Sequence, residues 1–384
     1  MSPQAGRRRL MIILGTRPEA IKLAPVILEA RRAADQFDLL VVTTGQHRQM
    51  LDQVLGLFGI RPDVDLDIMS HDQDLCHVTT QALNGLYGVM RDHRPDCVVV
   101  QGDTTTAFAG ALAAFYHQLP VAHVEAGLRS HDRYQPFPEE TNRRLITHIA
   151  EYHFAPTESA KCNLLAEGIG KDRIWVTGNT GIDALLSALG RYRGERARCQ
   201  TGRTLLVTAH RRENHGDPMR RICQAVLRLV AMFPDLRVVF PVHLSPRVRQ
   251  IVLPLLSGHP RVDLRDPLDY RDFVLAMDDA YLILTDSGGV QEEAPSLHKP
   301  VLVLRERTER LEAIEAGAAY LVGTDEDTIV NETALLLQNR ERYERATCTI
   351  NPFGDGRASR RILAVLARPA HARIDRVLPA TVRL

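Results

Sequence analysis

The chain has 384 residues, of which 45% are hydrophobic and 25% charged, so it is long enough for two or three globular domains. Its 48 basic and 47 acidic side chains nearly cancel, to a net charge of +1. Proteins whose main partner is a nucleic acid carry a clear excess or stripe of basic residues, so this balance argues against that class. Any cations that bind a ligand are therefore expected to act locally.

No segment of the chain is expected to enter a membrane. The longest nearly unbroken apolar stretch, around 107–116, is far too short to span a bilayer. The apolar run before Gly15 has about five residues, which is too short for a signal peptide. We therefore expect a cytoplasmic protein without a membrane partner. Six scattered cysteines without a CxxC pair predict reduced thiols and no metal site.

In chain order, short β-branched runs alternate with segments whose apolar residues have helical spacing. The predicted strands lie at 9–15, 39–44, 97–102, 120–125 and 173–178 in the first half, and at 204–209, 237–243, 281–286, 300–304 and 320–323 in the second. The clearest predicted helices lie at 20–33, 75–92, 139–153, 218–233 and 325–338. Apolar strands separated by helices indicate parallel sheets covered on both faces. We therefore predict an α/β protein in which a βαβ pattern occurs twice.

A polar, arginine-rich stretch near 187–203 separates the two series of strands. We place the domain boundary within 181–203, so that residues 1–185 form the first domain and residues 186–356 the second. In open parallel sheets, ligands bind at the carboxyl ends of the strands, where each strand gives way to a helix. Functional residues are therefore expected at the strand-to-helix junctions.

Three junctions in the first half carry charged side chains. In GTRPEAIK, Arg17 and Lys22 lie at the start of a helix, where two cations favour a phosphate. Asp103 follows the third strand in QGDTTT, where it is also a good helix cap. Glu125 ends the next buried strand, where a carboxylate is costly unless it is paired or used. Arg129, four residues on, is its structural alternative as a partner.

Charged residues also mark a helix start and two later strand ends. Glu139 and Glu140 lie in the first turn of a helix in PFPEETNRR, where the helix dipole favours carboxylates. His210 ends a strand in TAHRREN and is suited to carry a proton or bind a phosphate near neutral pH. In TDSGGVQEE, two glycines let the backbone approach a ligand closely. Glu293 follows within reach of a sugar hydroxyl pair, an arrangement typical of nucleotide diphosphate sites.

Several common cofactor motifs are absent from the sequence. No GxGxxG opens either half, which disfavours a tightly bound dinucleotide, and no GxxxxGK[ST] occurs, which argues against an ATP-driven step. No HExxH or other compact metal-ligand spacing is present. We therefore expect neither a cofactor nor a metal.

Taken together and in this order, the motifs indicate a function more specifically than any single motif does. GTRPEAIK, QGDTTT, HVEAGLRS, FPEETNR, TGNTGIDAL, TAHRREN, LTDSGGVQEEAPSL and NPFGDGRAS follow one another along the chain. From about residue 9 to about residue 366, the chain closely resembles the bacterial non-hydrolysing UDP-N-acetylglucosamine 2-epimerases. The resemblance implies a GT-B-like fold of two Rossmann-like domains with the active site in the cleft between them. It also implies a homodimer, a UDP-sugar substrate, no redox cofactor, and a C-terminal helix, about 357–384, that packs back on the first domain.

The resemblance also assigns site residues. Three carboxylates and one histidine match the family's catalytic set: Asp103, Glu125, Glu139 and His210. We expect the carboxylates to share the proton transfers, with Asp103 as the leading candidate base, while the division of roles among them stays open. The substrate-binding matches are cations for the phosphates and sugar, an aromatic residue near the uracil, a diphosphate loop and a ribose carboxylate: Arg17, Lys22, Arg310, Phe273, Ser287, Gly288, Gly289 and Glu293.

Many bacterial members of the family have a regulatory UDP-GlcNAc site beside the active site. Its usual lining is matched here by Gln46, Gln49, Arg211 and His243. Asp72, however, stands where the family often has an arginine, and a carboxylate facing a diphosphate would repel it. This departure argues against activation by substrate.

The chemistry of inversion at C2 narrows the mechanism. The C2 proton has no adjacent carbonyl, so it cannot simply be removed and returned. Transient oxidation would need a nicotinamide, for which the sequence has no fingerprint. The other route breaks the C1–O bond, so that UDP leaves while a base removes the C2 proton. The resulting 2-acetamidoglucal is then protonated on its other face, and UDP adds back. This route needs a base and an acid on opposite sides of C2, and cations on the departing diphosphate.

Four alternatives stay open from the sequence. An epimerase of a modified UDP-sugar, such as a diacetamido-uronate, would use the same residues, and departures from the family at Leu268 and Leu311 fit such a change. A hydrolysing epimerase would differ only in how well the cleft retains UDP. A GT-B glycosyltransferase has no need for three carboxylates in the first half of the cleft. A non-catalytic sensor has no need for the complete catalytic set.

Overall fold

The computed structural model describes residues 7–45, 48–69, 73–195 and 202–368. These residues form two parallel β-sheets, one from each half of the chain, with helices packed against them. The predicted α/β class with two Rossmann-like halves is therefore confirmed. Across the described ranges, no helix has both the length and the apolar character that crossing a membrane requires.

The first sheet contains seven parallel strands. They are β1 (Arg8–Leu14), β2 (Phe37–Thr43), β3 (Val64–Asp65), β4 (Cys97–Gln101), β5 (Val121–Val124), β6 (Tyr152–Ala155) and β7 (Ile174–Val176). The second sheet contains six parallel strands. They are β8 (Arg203–Thr208), β9 (Leu236–Pro241), β10 (Val262–Arg265), β11 (Leu282–Thr285), β12 (Val301–Val303) and β13 (Ala319–Leu321).

The first six strands of the first sheet have the same order as the six strands of the second sheet, and β7 extends the first sheet by one strand. It runs β3-β2-β1-β4-β5-β6-β7 in the first sheet and β10-β9-β8-β11-β12-β13 in the second. The order therefore reverses between β1 and β4 and again between β8 and β11. In doubly wound sheets a ligand binds at such a reversal, beyond the carboxyl ends of the two strands. The fold thus predicts two neighbouring halves of one site.

Helices cover both faces of each sheet. Those that follow strands of the first sheet are α1 (Arg17–Arg32), α2 (Arg48–Phe58), α3 (Leu75–His93), α4 (Thr105–Tyr116), α5 (Glu139–Ile149), α6 (Glu158–Ala166) and α7 (Thr180–Tyr192). Those in the second half are α8 (Asp217–Met232), α9 (Pro246–Leu256), α10 (Tyr270–Asp279), α11 (Gly288–Glu293), α12 (Leu311–Glu315), α13 (Glu326–Gln338), α14 (Arg340–Thr347) and α15 (Ala358–Leu366).

Strand β1 illustrates why the sheets are buried on both sides. Leu10 and Ile12 contribute to the core on one face, while Met11 and Ile13 contribute to the core on the other. Side chains alternate between faces along a strand, so a strand apolar at every position needs cover on both faces. The core that contains Leu10 continues through α7 and α10 into the second half, so the two halves share apolar packing.

The structure corrects one predicted helix and adds three strands. The helical stretch predicted at 139–153 ends at Ile149, and residues 152–155 form β6 instead, paired in parallel with β5. Pairing at the sheet overrides the local helical spacing of apolar residues there. Strands β3 and β10 were also not predicted, because β3 has two residues and β10 alternates charged with apolar residues.

Helix α15 packs against α1 and α7 of the first half. The Asp183 carboxylate on α7 accepts hydrogen bonds from the backbone nitrogens of Ala358 and Ser359, at 3.1 and 2.8 Å. The predicted C-terminal helix of about 357–384 thus includes α15, and residues 369–384 lie outside the described residues. The predicted domain boundary after residue 185 falls inside α7 and stays a prediction.

Candidate active site

Residues from both halves line two cavities at the carboxyl ends of the strands. The smaller, of about 280 Å³, is bounded by Arg17 of the first half and Phe273 of the second. The larger, of about 850 Å³, is bounded by Glu139 of the first half and Arg310 of the second. His210 lines both cavities, so they adjoin at this residue, and we refer to the two together as the cleft.

The glycine pair after β11 lies beside the smaller cavity. Ser287, two residues after this strand, lines the cavity directly. A Cβ added at Gly288 would lie 3.1 Å from Arg310 Cζ, so a side chain there would crowd the guanidinium, while Gly289 has more room. The buried Tyr270 hydroxyl in the same cavity has no hydrogen-bond partner among the described residues, and burial raises its pKa. The lining of this cavity thus combines the Arg17 guanidinium with the rings of Tyr270 and Phe273.

Glu125 follows β5, and its carboxylate has three hydrogen-bond donors around it. It accepts hydrogen bonds from Lys22 Nζ, from Gln101 Nε2 and from Asn179 Nδ2, the last at 3.3 Å. Burial alone would raise the pKa of Glu125, but the charges of Lys22 and two nearby arginines outweigh it and lower the pKa. Burial alone would lower the pKa of Lys22, but the charges of Glu125 and Glu292 outweigh burial and raise the pKa. The pair is therefore ionised at neutral pH.

Arg129 is not the partner of Glu125, which corrects the structural alternative drawn from their spacing. Its guanidinium donates to Glu167 at 2.6 Å and to Thr147 at 2.9 Å. Glu125 itself has φ = +65°, so the chain turns sharply after β5 and the two side chains diverge. The ion-pair partner of Glu125 is therefore Lys22 of α1 and not Arg129.

Asp103 lies just before α4 and is held from the neighbouring helix α5. Arg143 contacts its carboxylate at 2.6 and 2.8 Å, and Asn142 Nδ2 donates to its backbone oxygen at 2.9 Å. Asp103 does not cap the helix itself: Thr104 does, by accepting from the backbone nitrogen of Ala107 at 3.0 Å. The Asp103 carboxylate therefore does not serve as the helix cap that the sequence allowed. Its side chain is 24% exposed.

The two glutamates at the start of α5 have different surroundings. The Glu140 side chain is fully buried, accepts from the backbone nitrogen of Ser130 at 3.0 Å, and contacts Arg143 and Arg144 at 3.1 and 3.3 Å. Glu139 lines the larger cavity, and its buried Oε2 has no hydrogen-bond partner among the described residues. Glu140 therefore supports the structure, while Glu139 is available to a ligand.

His210 lies at the end of β8 and faces the loop after β11. Its Nδ1 is 3.3 Å from Asp286 Oδ1, while Asp286 Oδ2 accepts from the backbone nitrogens of His210 and Arg211, both at 2.8 Å. Asn214 Nδ2 completes this cluster at 2.9 Å. Burial lowers the pKa of His210, and positive charge on His243 and Arg211 lowers it further. The carboxylate of Asp286 acts in the opposite direction but does not outweigh them. The imidazole is therefore neutral near pH 7.

Two further carboxylates lie on α11, in the second half. Glu292 accepts from Arg310 Nε and from Asn179 Nδ2, both at 2.9 Å. Burial, and then the neighbouring charge of Glu292, raises the pKa of Glu293 to about 8. The predicted cations Lys22 and Arg310 thus come close to one acidic cluster that includes residues of both halves.

The predicted regulatory lining is only partly described. Arg211 lines the larger cavity and His243 the smaller one, where its ring stacks on His210 with centroids 5.7 Å apart. Gln46 and Asp72 lie outside the described residues, as does the side chain of Gln49. The regulatory site and the effect of Asp72 therefore stay predictions.

Sequence reasoning missed five residues that hold the predicted set in place: Gln101, Arg143, Asn179, Asp286 and Glu292. Three of them lie at or within three residues of a strand end, which was a usable signal. The others lie on helices, and only their contacts reveal them. Within the described ranges, no group of three or more His, Cys, Asp or Glu side chains is arranged to hold a metal ion.

Known proteins are similar to this chain in both sequence and fold. The family model described as UDP-N-acetylglucosamine 2-epimerase matches residues 29–367. The UDP-N-acetylglucosamine 2-epimerase of Bacillus subtilis is 51% identical over 360 residues, which cover 93% of this chain and 94% of that protein. The enzyme of that name from Escherichia coli is 48% identical over 369 residues, or 93% and 98% of the two chains. A crystal structure of UDP-GlcNAc 2-epimerase from Neisseria meningitidis, bound to UDP-GlcNAc, matches with a TM-score of 0.85 at 47% identity and covers 93% of this chain and 99% of that one.

Proposed function

This chain belongs to the UDP-N-acetylglucosamine 2-epimerase family and has its GT-B-like fold, and we propose that it interconverts UDP-N-acetylglucosamine and UDP-N-acetylmannosamine by eliminating UDP and adding it back. One observation carries the proposal. Glu139 of the first half lines a cavity with His210 and Arg310 of the second half, and Asn179, in the same lining, donates to the carboxylate of Glu125. Proton transfer at C2 and departure of an anion from C1 need these two kinds of group on one substrate.

The carboxylates perform the proton transfers. Asp103 is the leading candidate base, because its carboxylate keeps more exposure than that of Glu125, 24% against 7%. Glu125 is held ionised by Lys22, and Glu139 offers an unpartnered oxygen to the cavity. Together they supply groups that can remove a proton from one face of C2 and return one on the other.

Cations of both halves and a loop of the second half hold the leaving group. Arg17, Lys22 and Arg310 offset the charge that develops on the diphosphate as the C1–O bond breaks. Ser287, Gly288 and Gly289 place backbone beside it, while Phe273 contacts the uracil and Glu293 the ribose. A neutral His210 next to Asp286 can assist the departure of UDP by hydrogen bonding. The route uses no hydride carrier, and the glucal intermediate stays in the closed cleft without hydrolysis. As the resemblance implies, we also propose a homodimer.

One NMR experiment tests the reaction. The protein is incubated with UDP-N-acetylglucosamine in D2O, and the products are followed over time. We expect deuterium at C2 and the N-acetylmannosamine epimer, still attached to UDP. Net release of free N-acetylmannosamine would instead support a hydrolysing enzyme, and absence of C2 exchange would contradict the proposal. A diacetamido-uronate UDP-sugar, tested in parallel, identifies a preference for a modified sugar.

Replacing the candidate base tests the assignment of roles. Asp103→Asn keeps the shape of the side chain but cannot accept a proton, so turnover and C2 deuteration should fall about 100-fold or more. Binding of UDP, measured by calorimetry, should persist because its contacts lie elsewhere. Asp327→Asn, on the exposed face of α13 beside Arg228, is the matched control and should behave as wild type. An Asp103→Asn protein with wild-type turnover would show that another residue is the base.

A further inference from the structure

Asn179 lies between two carboxylates that belong to opposite halves of the chain. Its side-chain nitrogen donates to Glu292 Oε2 at 2.9 Å and to Glu125 Oε1 at 3.3 Å. Its side-chain oxygen accepts from the backbone nitrogen of Gly181 at 2.8 Å, which caps α7. The residue is only 3% exposed. An amide offers two N–H donors and one acceptor oxygen, so this side chain is used at both ends.

Each of the two carboxylates also has its own cation. Lys22 Nζ donates to Glu125, and Arg310 Nε donates to Glu292 at 2.9 Å. Two carboxylates that share a buried site repel each other unless donors or cations separate them. Asn179 supplies donors to both. The result is a continuous hydrogen-bonded chain across the cleft: Lys22, Glu125, Asn179, Glu292 and Arg310.

We propose that Asn179 is a positioning residue that couples the proton-transfer carboxylate of the first half to the diphosphate-binding arginine of the second. A shift of Arg310 toward a bound diphosphate moves Glu292, and Asn179 transmits that change to Glu125. The proton-transfer group then reaches its working position only when the leaving group is held. This inference rests on the proposed function, because it assigns those roles to Glu125 and Arg310.

A purely structural role for Asn179 makes a different prediction. As the cap of α7, Asn179 needs only its acceptor oxygen, and aspartate caps helices as well as asparagine does. Asn179→Asp keeps that oxygen and the shape of the side chain but replaces both donors with an acceptor. If capping were the whole role, this variant would retain full activity. If the bridge matters, it places a third carboxylate between two others.

The first test is the pH dependence of Asn179→Asp. We expect kcat at pH 8 to fall by about 100-fold or more, with UDP affinity changed much less. As the pH is lowered to about 5.5, the introduced carboxyl takes up a proton and regains a donor, so the ratio of variant to wild-type kcat should rise. The charged groups that act on this position come from several elements: Lys22 on α1, Glu125 after β5, Arg143 on α5, Glu292 and Glu293 on α11, and Arg310 before α12. A variant with wild-type kcat and an unchanged pH profile would overturn the inference.

A second pair of variants decides the question if Asn179→Asp does not fold. Asn179→Ala removes the bridge, together with the α7 cap, without adding charge, and kcat should fall about 10-fold. Asn179→Asp combined with Glu292→Gln exchanges amide and carboxylate between the two positions, and it should regain at least part of the folding or turnover that the single variant loses. Asn179→Ala with wild-type kcat, or a double variant no better than the single one, would contradict the bridge.

The matched control is another capping asparagine. Asn339 caps α14 by accepting from the backbone nitrogen of Arg342 at 2.9 Å, and it lines neither cavity of the cleft. Asn339→Asp should leave kcat and its pH profile unchanged. Failure of the proposed function would appear as a wild-type protein without C2 exchange. Failure of the present inference would appear as wild-type exchange that survives in Asn179→Asp and Asn179→Ala.

Discussion

Glu19 is an ionisable side chain with almost no exposure, and it ties together two loops of the site. Its Oε2 accepts from the backbone nitrogens of Gly15 and Thr16, at 3.1 and 2.8 Å, and its Oε1 accepts from Thr104 Oγ1 at 2.7 Å. The first loop carries Arg17, and the second follows Asp103. One buried carboxylate therefore fixes a phosphate-binding cation relative to the candidate base.

This burial predicts how stability depends on pH. Burial raises the pKa of Glu19 to about 7, against an ordinary value near 4.5, although its hydrogen bonds oppose the shift. The folded state thus binds a proton more tightly than the unfolded state. The associated stability is fully present below about pH 4.5 and is lost as the pH rises through 7, a change on the order of 3 kcal/mol. Glu19→Gln should remove that part of the slope.

Urea unfolding of wild type and Glu19→Gln at several pH values from 5 to 8.5 measures the difference. The free energy of unfolding of the wild type should fall more steeply with pH than that of the variant. Glu158→Gln, on the surface beside Lys161, is the control and should run parallel to wild type. Parallel curves for Glu19→Gln as well would mean that Glu19 titrates alike in both states.

At the scale of elements, the junctions between strands and helices carry the site. Four of the predicted residues, Arg17, Asp103, Glu125 and His210, follow within a few residues of β1, β4, β5 and β8. A strand that is apolar throughout must end where the chain becomes polar, so the sequence predicts such residues directly. Asn179 follows β7 without any charge, and its importance depends on Glu292, which is distant in sequence. Its position near a strand end marks such a residue as a candidate, but only its contacts reveal its role.

The same distinction explains the errors in the predicted elements. In the stretch LITHIAEYHFA, apolar residues recur at helical spacing past the end of α5, so the sequence fits a helix, whereas in the structure its last residues pair with β5. Strand β10 lies at the edge of its sheet and alternates charged with apolar residues, so it contains no buried apolar run that would predict a strand. Both elements are determined by neighbours in space and not by local sequence.

The docking of α15 gives a prediction at this scale. Asp183 on α7 accepts from the first two backbone nitrogens of α15, and both contacts are buried. Asp183→Ala leaves these donors without a partner, which should lower the free energy of unfolding by about 2 kcal/mol. Asp183→Asn keeps one acceptor oxygen and should cost less. Chemical denaturation measures both, with the exposed Asp327→Ala as control; equal stability of all four proteins would mean that the cap is dispensable.

At the scale of the molecule, the net charge is only +1, yet many charged side chains are concentrated in the cleft. Cations from both halves converge there, while apolar packing between α7 and α10 keeps the halves together. A ligand that contacts both sides should therefore stabilise the protein as a unit. UDP is such a ligand in the proposed function, because Arg17 belongs to the first half, and Phe273 and Ser287 belong to the second.

Stabilisation by UDP is thus expected to depend on contacts from both sides of the cleft. At 100 times its Kd, UDP should add about 2.7 kcal/mol to the free energy of unfolding and raise Tm accordingly. Uridine, which lacks the diphosphate, should add much less at the same concentration, since the cations contribute nothing to its binding. Phe273→Ala weakens binding from the nucleoside side, so at that concentration of UDP its increase in Tm should shrink. Phe115→Ala, on the exposed face of α4, should keep the full increase. If uridine matched UDP, the cations of the cleft would not bind the diphosphate, and if Phe273→Ala kept the whole effect, Phe273 would not contact the nucleoside.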